Sequence, residues 1–269
     1  MQVIGICRFS YPAIGGFQVE HSSIEDRRNY LYAPERMEER FRIFETITLP
    51  PLRAQSDQEF TLLVVIGDDF PAIYHERLMA LLADVPQAII CARAPGRHRK
   101  VMQDAINSVR NANTAPSLQF RMDDDDAVAC TYVARLREAA LDVRRLLGKH
   151  RQIALDFNQG FIVRPGPNGI LVKPTKAPYT TAALALMFRP EVTKSVMNFA
   201  HAKVAYSMPT VTFSGEDMFL RSYNSYNDSR QKPRVKALKM ALLDAAGEAH
   251  FKSVFDIDSD HVRRVFSAS

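Results

Sequence analysis

The apolar positions of this chain change rhythm along its length, and each change marks an element. Val3 to Cys7 is a short apolar run and reads as a strand. Gly15-Gly16 then marks a loop. Pro34 can open a helix, because proline is tolerated in the first turn. Met37, Phe41, Phe44 and Ile47 follow at helical spacing, with charged residues between them. Pro50-Pro51 should break that helix. Phe60 to Ile66 is almost wholly apolar and rich in Val, Leu and Ile, the composition of a strand buried on both faces of a parallel sheet. Gly67-Asp68-Asp69 ends it. Tyr74 to Leu82 reads as a helix, Ala88 to Cys91 as a third strand and Arg97 to Val109 as another helix. Leu118 to Met122 is a fourth strand, and it runs directly into Asp123-Asp124-Asp125-Asp126. Tyr132, Leu136, Ala139, Val143 and Leu146 then line one helical face, with Gly148 placed to end it.

Strands alternating with helices predict a mainly parallel sheet with helices on both faces. Ligands of such sheets bind beyond the carboxyl ends of the strands, which is where the four aspartates fall. Past about residue 150 the pattern differs. Gly160 to Arg164 and Ile170 to Lys173 flank Pro165-Gly166-Pro167-Asn168-Gly169 and read as a hairpin with a longer loop. Pro190 begins an expected amphipathic helix carrying Val192, Val196 and Phe199, and Val235, Leu238 and Leu242 suggest a C-terminal helix. No linker-like composition separates the two parts, so residues 1–150 and 151–269 read as halves of one compact unit.

Composition narrows the class. The 269 residues are 46% apolar and 24% charged, as in a soluble globular protein. Cys7, Cys91 and Cys130 are far apart and form no C-x-x-C pair, which argues against a disulfide framework or a zinc site and for a reducing cytoplasm. Met1 to Cys7 lacks the basic and long apolar regions of a signal peptide. No apolar run approaches the roughly 20 residues that span a bilayer, so a soluble protein is expected, with peripheral contact at the inner face of the membrane left open. The net charge of +5 suits an anionic ligand, and an averagely basic surface explains it equally well. The basic residues lack the interleaved aromatics of a single-strand nucleic-acid platform, and no nucleic-acid partner is expected. Neither G-x-x-x-x-G-K-[ST] nor G-x-G-x-x-G occurs.

The aspartates carry the chemistry. Adjacent carboxylates repel, so at least one should be raised in pKa unless a cation is present. In extended backbone Asp123 and Asp125 would share one face and Asp124 and Asp126 the other. Two carboxylates on one face suit a hard cation such as Mg²⁺ or Mn²⁺. A solvated loop capping the following helix is the plainer reading. A calcium loop fails, because Ala127 and Val128 occupy positions that need a ligand and a glycine.

Phe120-Arg121-Met122-Asp123-Asp124-Asp125-Asp126-Ala127 resembles the Asp-x-Asp region of glycosyltransferases with the GT-A fold. It is especially similar to a bacterial rhamnosyltransferase family whose members carry a comparable run of aspartates. Leu52-Arg53-Ala54-Gln55-Ser56, followed by Phe60 and its strand, resembles the segment joining the first helix to the second strand in family-2 enzymes. The resemblance spans roughly residues 1–150. It implies a GT-A-like α/β fold, a mainly parallel sheet flanked by helices with a C-terminal acceptor-side portion. It also implies metal-dependent, inverting transfer of a sugar, rhamnose in the named family, from a nucleotide-diphosphate donor to a glycan or glycoconjugate acceptor.

Residue by residue, the resemblance implies that Asp123 and Asp125 hold Mn²⁺ or Mg²⁺ and touch the donor, with Asp124 beside them and Asp126 as a third acid. Asp228, in the turn-like run Asn224 to Ser229, would complete the metal shell. Asp68 is the nucleobase candidate, although Asp68-Asp69 come about two positions later than the family's acidic pair. Arg8 falls where a nucleobase pocket wall should be. Asp217, with Glu216, matches the carboxylate that deprotonates the acceptor hydroxyl. Ser214 and Asp217 also fit a helix cap. Arg97 and Lys100, in the basic run after the third strand, are diphosphate candidates or a solvated helix start. The rival readings are a sugar nucleotidyltransferase, which should carry a glycine-rich phosphate loop near the first strand, and a non-catalytic glycan-binding module.

Overall fold

The computed structural model describes residues 1–15, 21–111, 115–224 and 238–268. Among these residues two sheets form. The first follows the predicted strands β1 (Gln2–Arg8), β2 (Phe60–Gly67), β3 (Ala88–Arg93) and β4 (Ser117–Asp123). It is completed by β6 (Gln152–Phe157), β9 (Leu184–Phe188) and β10 (Thr210–Phe213), in the order β10-β6-β9-β4-β1-β2-β3. All these strands run parallel except β9, which is antiparallel to both β4 and β6. The predicted mainly parallel α/β sheet is therefore present, and strands from both halves of the chain share it.

The second sheet is built from β5 (Asp126–Val128), β7 (Gln159–Gly166), β8 (Gly169–Lys176), β11 (Phe219–Ser222) and β12 (Ala241–Leu242), in the order β12-β8-β7-β11-β5. Two short connections join the sheets. Asp123 closes β4 and Asp126 opens β5, while Phe157 closes β6 and Gln159 opens β7. The aspartate run is thus the corner where the chain leaves one sheet for the other.

Helices cover both faces of the first sheet. On one face lie α2 (Pro34–Ile43), α3 (Leu49–Arg53), α4 (Ala72–Leu82), α6 (Tyr132–Leu147) and α7 (Ala245–Phe255), over a core that includes Phe41, Phe44, Phe120, Tyr132 and Phe157. On the other lies α5 (His98–Val109), with Met102 and Ile106 packed on Ile4, Ile6, Leu63 and Phe188. A short α1 (Ile24–Leu31) precedes α2, and α8 (Ser259–Ser267) packs on the β7–β8 hairpin. Gly5 is required where it stands: a Cβ there would lie 2.4 Å from the ring of Phe120 on the neighbouring β4.

Four expectations need correction. Pro50-Pro51 do not stop the helix. The chain widens into a π-helical turn at Phe44–Thr48, where Leu49 N–H reaches back to Phe44 O, and the prolines then occupy the first turn of α3, where a missing donor costs little. The hairpin has a tight turn and no longer loop, since pairing continues to Gly166 opposite Gly169, whose φ of +116° suits glycine. The helix from Pro190 does not form. Arg110 takes the carbonyls of Arg189 and Val192, and Ser195 and Asn198 cap a single 3₁₀ turn at Val196–Asn198. The helix suggested by Leu238 and Leu242 is absent, Val235 lies outside the described residues, and Ala241–Leu242 pairs with β8 instead.

Candidate active site

The winding of the first sheet reverses between β1 and β4: β2 and β3 build outward from one side of β1, and β4 returns to its other side. Such a switch point opens a crevice at the carboxyl ends of the strands. Arg8 and Asp123 are register partners across it, and Arg8 Nη2 meets Asp123 Oδ1 at 3.0 Å. The Asp123 side chain remains 45% exposed. Burial works to raise its carboxyl, but the guanidiniums of Arg8, Arg121 and Arg40 outweigh it and hold Asp123 below the ordinary aspartate value.

The next two aspartates turn away from this crevice. Arg36 and Arg40 lie one helical turn apart on α2, beside the apolar Met37 and Phe41, and both are buried. Arg40 Nη1 bridges Asp124 Oδ1 at 3.0 Å and Asp125 Oδ2 at 2.7 Å. Asp124 also accepts from Ser10 N–H, and its own carbonyl accepts from Thr48 in the π-helical turn. Asp125 accepts from Asn224 Nδ2 at 2.7 Å. Arg36 donates to Ser10 Oγ and to the Leu31 carbonyl. Burial is the main force lifting Asp124, to about 6, with Arg40 opposing it and Asp125 adding to it. Asp126 is buried and forms no ion pair among the described residues; burial, then Asp125 and Asp123, raise its carboxyl well above the ordinary value.

Cations surround Asp123 on the α5 side. Arg121 lies two residues earlier on β4, and His98 and Arg99 open α5. Burial, and then Arg8, lower His98 to about 3, so it is neutral at physiological pH. His201, on a 3₁₀ turn at His201–Tyr206, places Nδ1 2.7 Å from the Tyr179 carbonyl. A carbonyl can only accept, so Nδ1 carries the hydrogen and Nε2 keeps the lone pair. Burial lowers His201 as well, with Arg121 and Arg221 acting in the same sense.

A crevice at the switch point, an acidic turn and a ring of cations agree with a match over residues 2–236 to the family described as "Putative rhamnosyl transferase". The chain belongs to that family. No curated protein matches the sequence. Among solved structures, TarS 1–349 of S. aureus is 13% identical, over 82% of this chain and 60% of that one, with a TM-score of 0.42. The same protein in complex with UDP-GlcNAc gives 10%, 85%, 60% and 0.44. HddC from Yersinia pseudotuberculosis is 8% identical over 82% of this chain and 93% of its own, with a TM-score of 0.42. The chain spans 60% of the length of these TarS chains.

The fold brings together Arg8 and Asp123, and it lines one hollow of about 570 Å³ with Arg97, His98, Arg99 and Lys100. Lys100 is also paired with Asp104 at 2.5 Å. Asp68 follows β2 at the same edge of the sheet, exposed, while its neighbour Asp69 is held by Arg28 and Tyr32.

Other placements differ from expectation. Asp123 and Asp125 do not share a face, because the chain turns at Asp124–Asp125 and both of those carboxylates converge on Arg40. Glu216 and Asp217 are not joined to Asp123. Glu216 pairs with Arg135 on α6, and Asp217 binds Gln159 and His250 on α7, toward the opposite face of the sheet from α5. Asp228 lies outside the described residues. Arg36, Arg40, Arg121 and His201 lie at or behind this crevice without any motif in the sequence that marks them.

Among the described residues no group of three or more His, Cys, Asp or Glu side chains is placed to hold a metal ion. Mg²⁺ and Mn²⁺ sites need less than that, since one or two carboxylates suffice when substrate phosphates complete the shell. Asp123, half exposed, and Asp126, buried without an ion pair among the described residues, fit that requirement. Asp125 fits it less well, being committed to Arg40 and Asn224.

Proposed function

We propose that this enzyme transfers a glycosyl unit from a nucleoside-diphosphate sugar to a hydroxyl of a saccharide-type acceptor, with inversion at the anomeric carbon. The observation that carries the reading is the Arg8–Asp123 pair at the switch point, with an exposed carboxylate inside a ring of cations. Arg8 orients Asp123 toward the donor's ribose and diphosphate. Asp123 and Asp126 would hold the metal. What a bound Mn²⁺ or Mg²⁺ supplies there is neutralisation of the departing diphosphate.

In the transfer, the acceptor oxygen bonds to the anomeric carbon as the bond from that carbon to the β-phosphate oxygen breaks. The electron pair stays with the diphosphate, and the hydroxyl proton goes to a base. We assign that role to His201. It stands on the Asp123 side, with its Nδ1–H held by Tyr179 and Nε2 available as an acceptor.

The test is a thermal-shift panel of UDP, dTDP, GDP and CDP, each with Mn²⁺ or with EDTA. A nucleotide at about 100 times its dissociation constant stabilises the fold by about 2.7 kcal/mol. A shift for one nucleotide, larger with Mn²⁺, supports the reading and names the donor class. No shift with any nucleotide overturns it and returns the glycan-binding module to first place.

A further inference from the structure

One fully buried carboxylate takes no part in the chemistry described so far. Asp156 lies on β6, between β9 and β10, with no exposed surface. It forms no ion pair among the described residues, and burial raises its carboxyl above the ordinary aspartate value. Its Oδ1 accepts from the backbone N–H of Tyr179 at 2.8 Å, and its Oδ2 accepts from the Thr212 hydroxyl at 3.1 Å. Thr212 is exposed on the neighbouring β10, where water can also serve its hydroxyl. The bond to Tyr179 leaves the sheet and reaches the segment between β8 and β9.

Tyr179 has a φ of +63°, a left-handed conformation that a bulky side chain adopts only at a cost. Such a conformation persists where its surroundings fix it, and strain of this kind gathers at functional sites. Asp156 pins the N–H of Tyr179, and the tyrosine side chain packs against the core on the α5 side. The carbonyl of the same residue lies 2.7 Å from His201 Nδ1. Returning Tyr179 to a negative φ would change the angle between its N–H and its carbonyl, and with the N–H held the carbonyl would swing away from the imidazole. A buried acid, a strained backbone and the His201 ring therefore form one connected series.

We propose that Asp156 is a positioning residue for the base: it holds Tyr179 in its left-handed turn, and the Tyr179 carbonyl in turn fixes the direction and tautomer of the His201 ring. This rests on the assignment of His201 as the base made above. Being fully buried, Asp156 acts through Tyr179 and not on the substrate. Its effect is to keep the hydrogen on Nδ1 and the lone pair on Nε2, where it can accept the proton of the acceptor hydroxyl. In water a neutral histidine ring prefers its hydrogen on Nε2, the form that cannot take a proton there. A predominant Nδ1–H form is therefore a signature of the carbonyl's hold. The Thr212 contact ties β6 to β10 and is separate from it.

The experiment is proton–nitrogen NMR of the full chain with labelled histidine at about pH 8, where an ordinary histidine ring is neutral. The His201 signals are identified by their loss in His201→Gln. Wild type should show a predominant Nδ1–H ring. Asp156→Val, whose side chain suits a buried strand, should lower the Nδ1–H share to about half or less, while Thr212→Val leaves it as in wild type. Turnover, read as nucleoside-diphosphate release from the nucleotide sugar that the Mn²⁺ panel selects, should fall about tenfold in Asp156→Val with the donor KM within about twofold. Asp156→Asn, a weaker and neutral acceptor, should lie between the two in both readouts. A wild-type Nδ1–H share in folded Asp156→Val overturns the inference, as does an Nε2–H ring in wild type. If Asp156→Val does not fold, Asp156→Asn decides, and a wild-type ratio in it overturns the inference. The two readings fail separately. Absence of turnover by wild type with any nucleotide sugar removes the transferase reading and leaves the tautomer result standing. A lost Nδ1–H form with undiminished turnover removes His201 as the base and the positioning role of Asp156 with it.

Discussion

Asp123 and the pair Asp124-Asp125 are neighbours in sequence with opposite surroundings. Asp123 faces the crevice, 45% exposed, against Arg8 and a surplus of cations. Asp124 and Asp125 face the α2 side, where the buried Arg40 sits between them. The difference shows how a run of identical residues divides its labour. The turn that ends β4 sends one carboxylate outward into the crevice, and the buried arginine draws the next two inward as an anchor. Anchoring the turn from behind fixes Asp123 in front of it, so in the proposed site the buried pair would hold the donor-facing residue in place.

The comparison breaks most directly at Arg40. Arg40→Met leaves two carboxylates without their shared cation, and removing one partner of a buried pair costs about 3–5 kcal/mol. Urea unfolding should show a midpoint lowered accordingly, and an unchanged midpoint would mean the α2 side is not an anchor. Asp123→Asn should act in the opposite way. Its half-exposed pair with Arg8 contributes ~0–1 kcal/mol to stability, so the unfolding midpoint barely moves. Turnover should nevertheless fall by about 100-fold or more, the scale of losing a group that stabilises developing charge.

Asp217→Asn tests the assignment of faces. With Asp217 held by Gln159 and His250 away from Asp123, steady-state rates should change by no more than a few-fold. A loss of about 100-fold would return Asp217 to the role of base and remove His201 from it. The smallest effect belongs to Lys100→Ala, because Lys100 is 69% exposed and already paired with Asp104. Donor affinity should change by less than about twofold, as expected for a solvent-screened charge, and a larger change would place the rim of the hollow in the donor site.

How far these roles were legible depends on how each residue signals itself. The parallel strands declared themselves through continuous apolar runs, and the acidic corner through its repetition after a strand. Arg36 and Arg40 looked like solvated helix charges. Their signal was position, one turn apart and adjacent to Met37 and Phe41 on the apolar stripe. Arg121 was hidden by reading Leu118 to Met122 as an apolar run, when the strict alternation Leu-Gln-Phe-Arg-Met-Asp places Gln119, Arg121 and Asp123 on one face. The alternation expected within the aspartates failed because it assumed extended backbone through a turn. The roles of Glu216 and His201 were not legible, since they depend on which face each loop reaches after β9 and β10, and that is set by tertiary packing.

The most direct measurement sets stability and ligand binding side by side for Asp123→Asn and wild type. One melts each protein and titrates each with the nucleoside diphosphate selected by the Mn²⁺ panel. The account predicts a melting temperature within about 2 °C of wild type for Asp123→Asn, with nucleotide affinity reduced at least tenfold. An Asp123→Asn protein that melts much lower, or that binds the nucleotide as wild type does, would contradict the division of the aspartate run into a ligand-facing residue and a buried anchor.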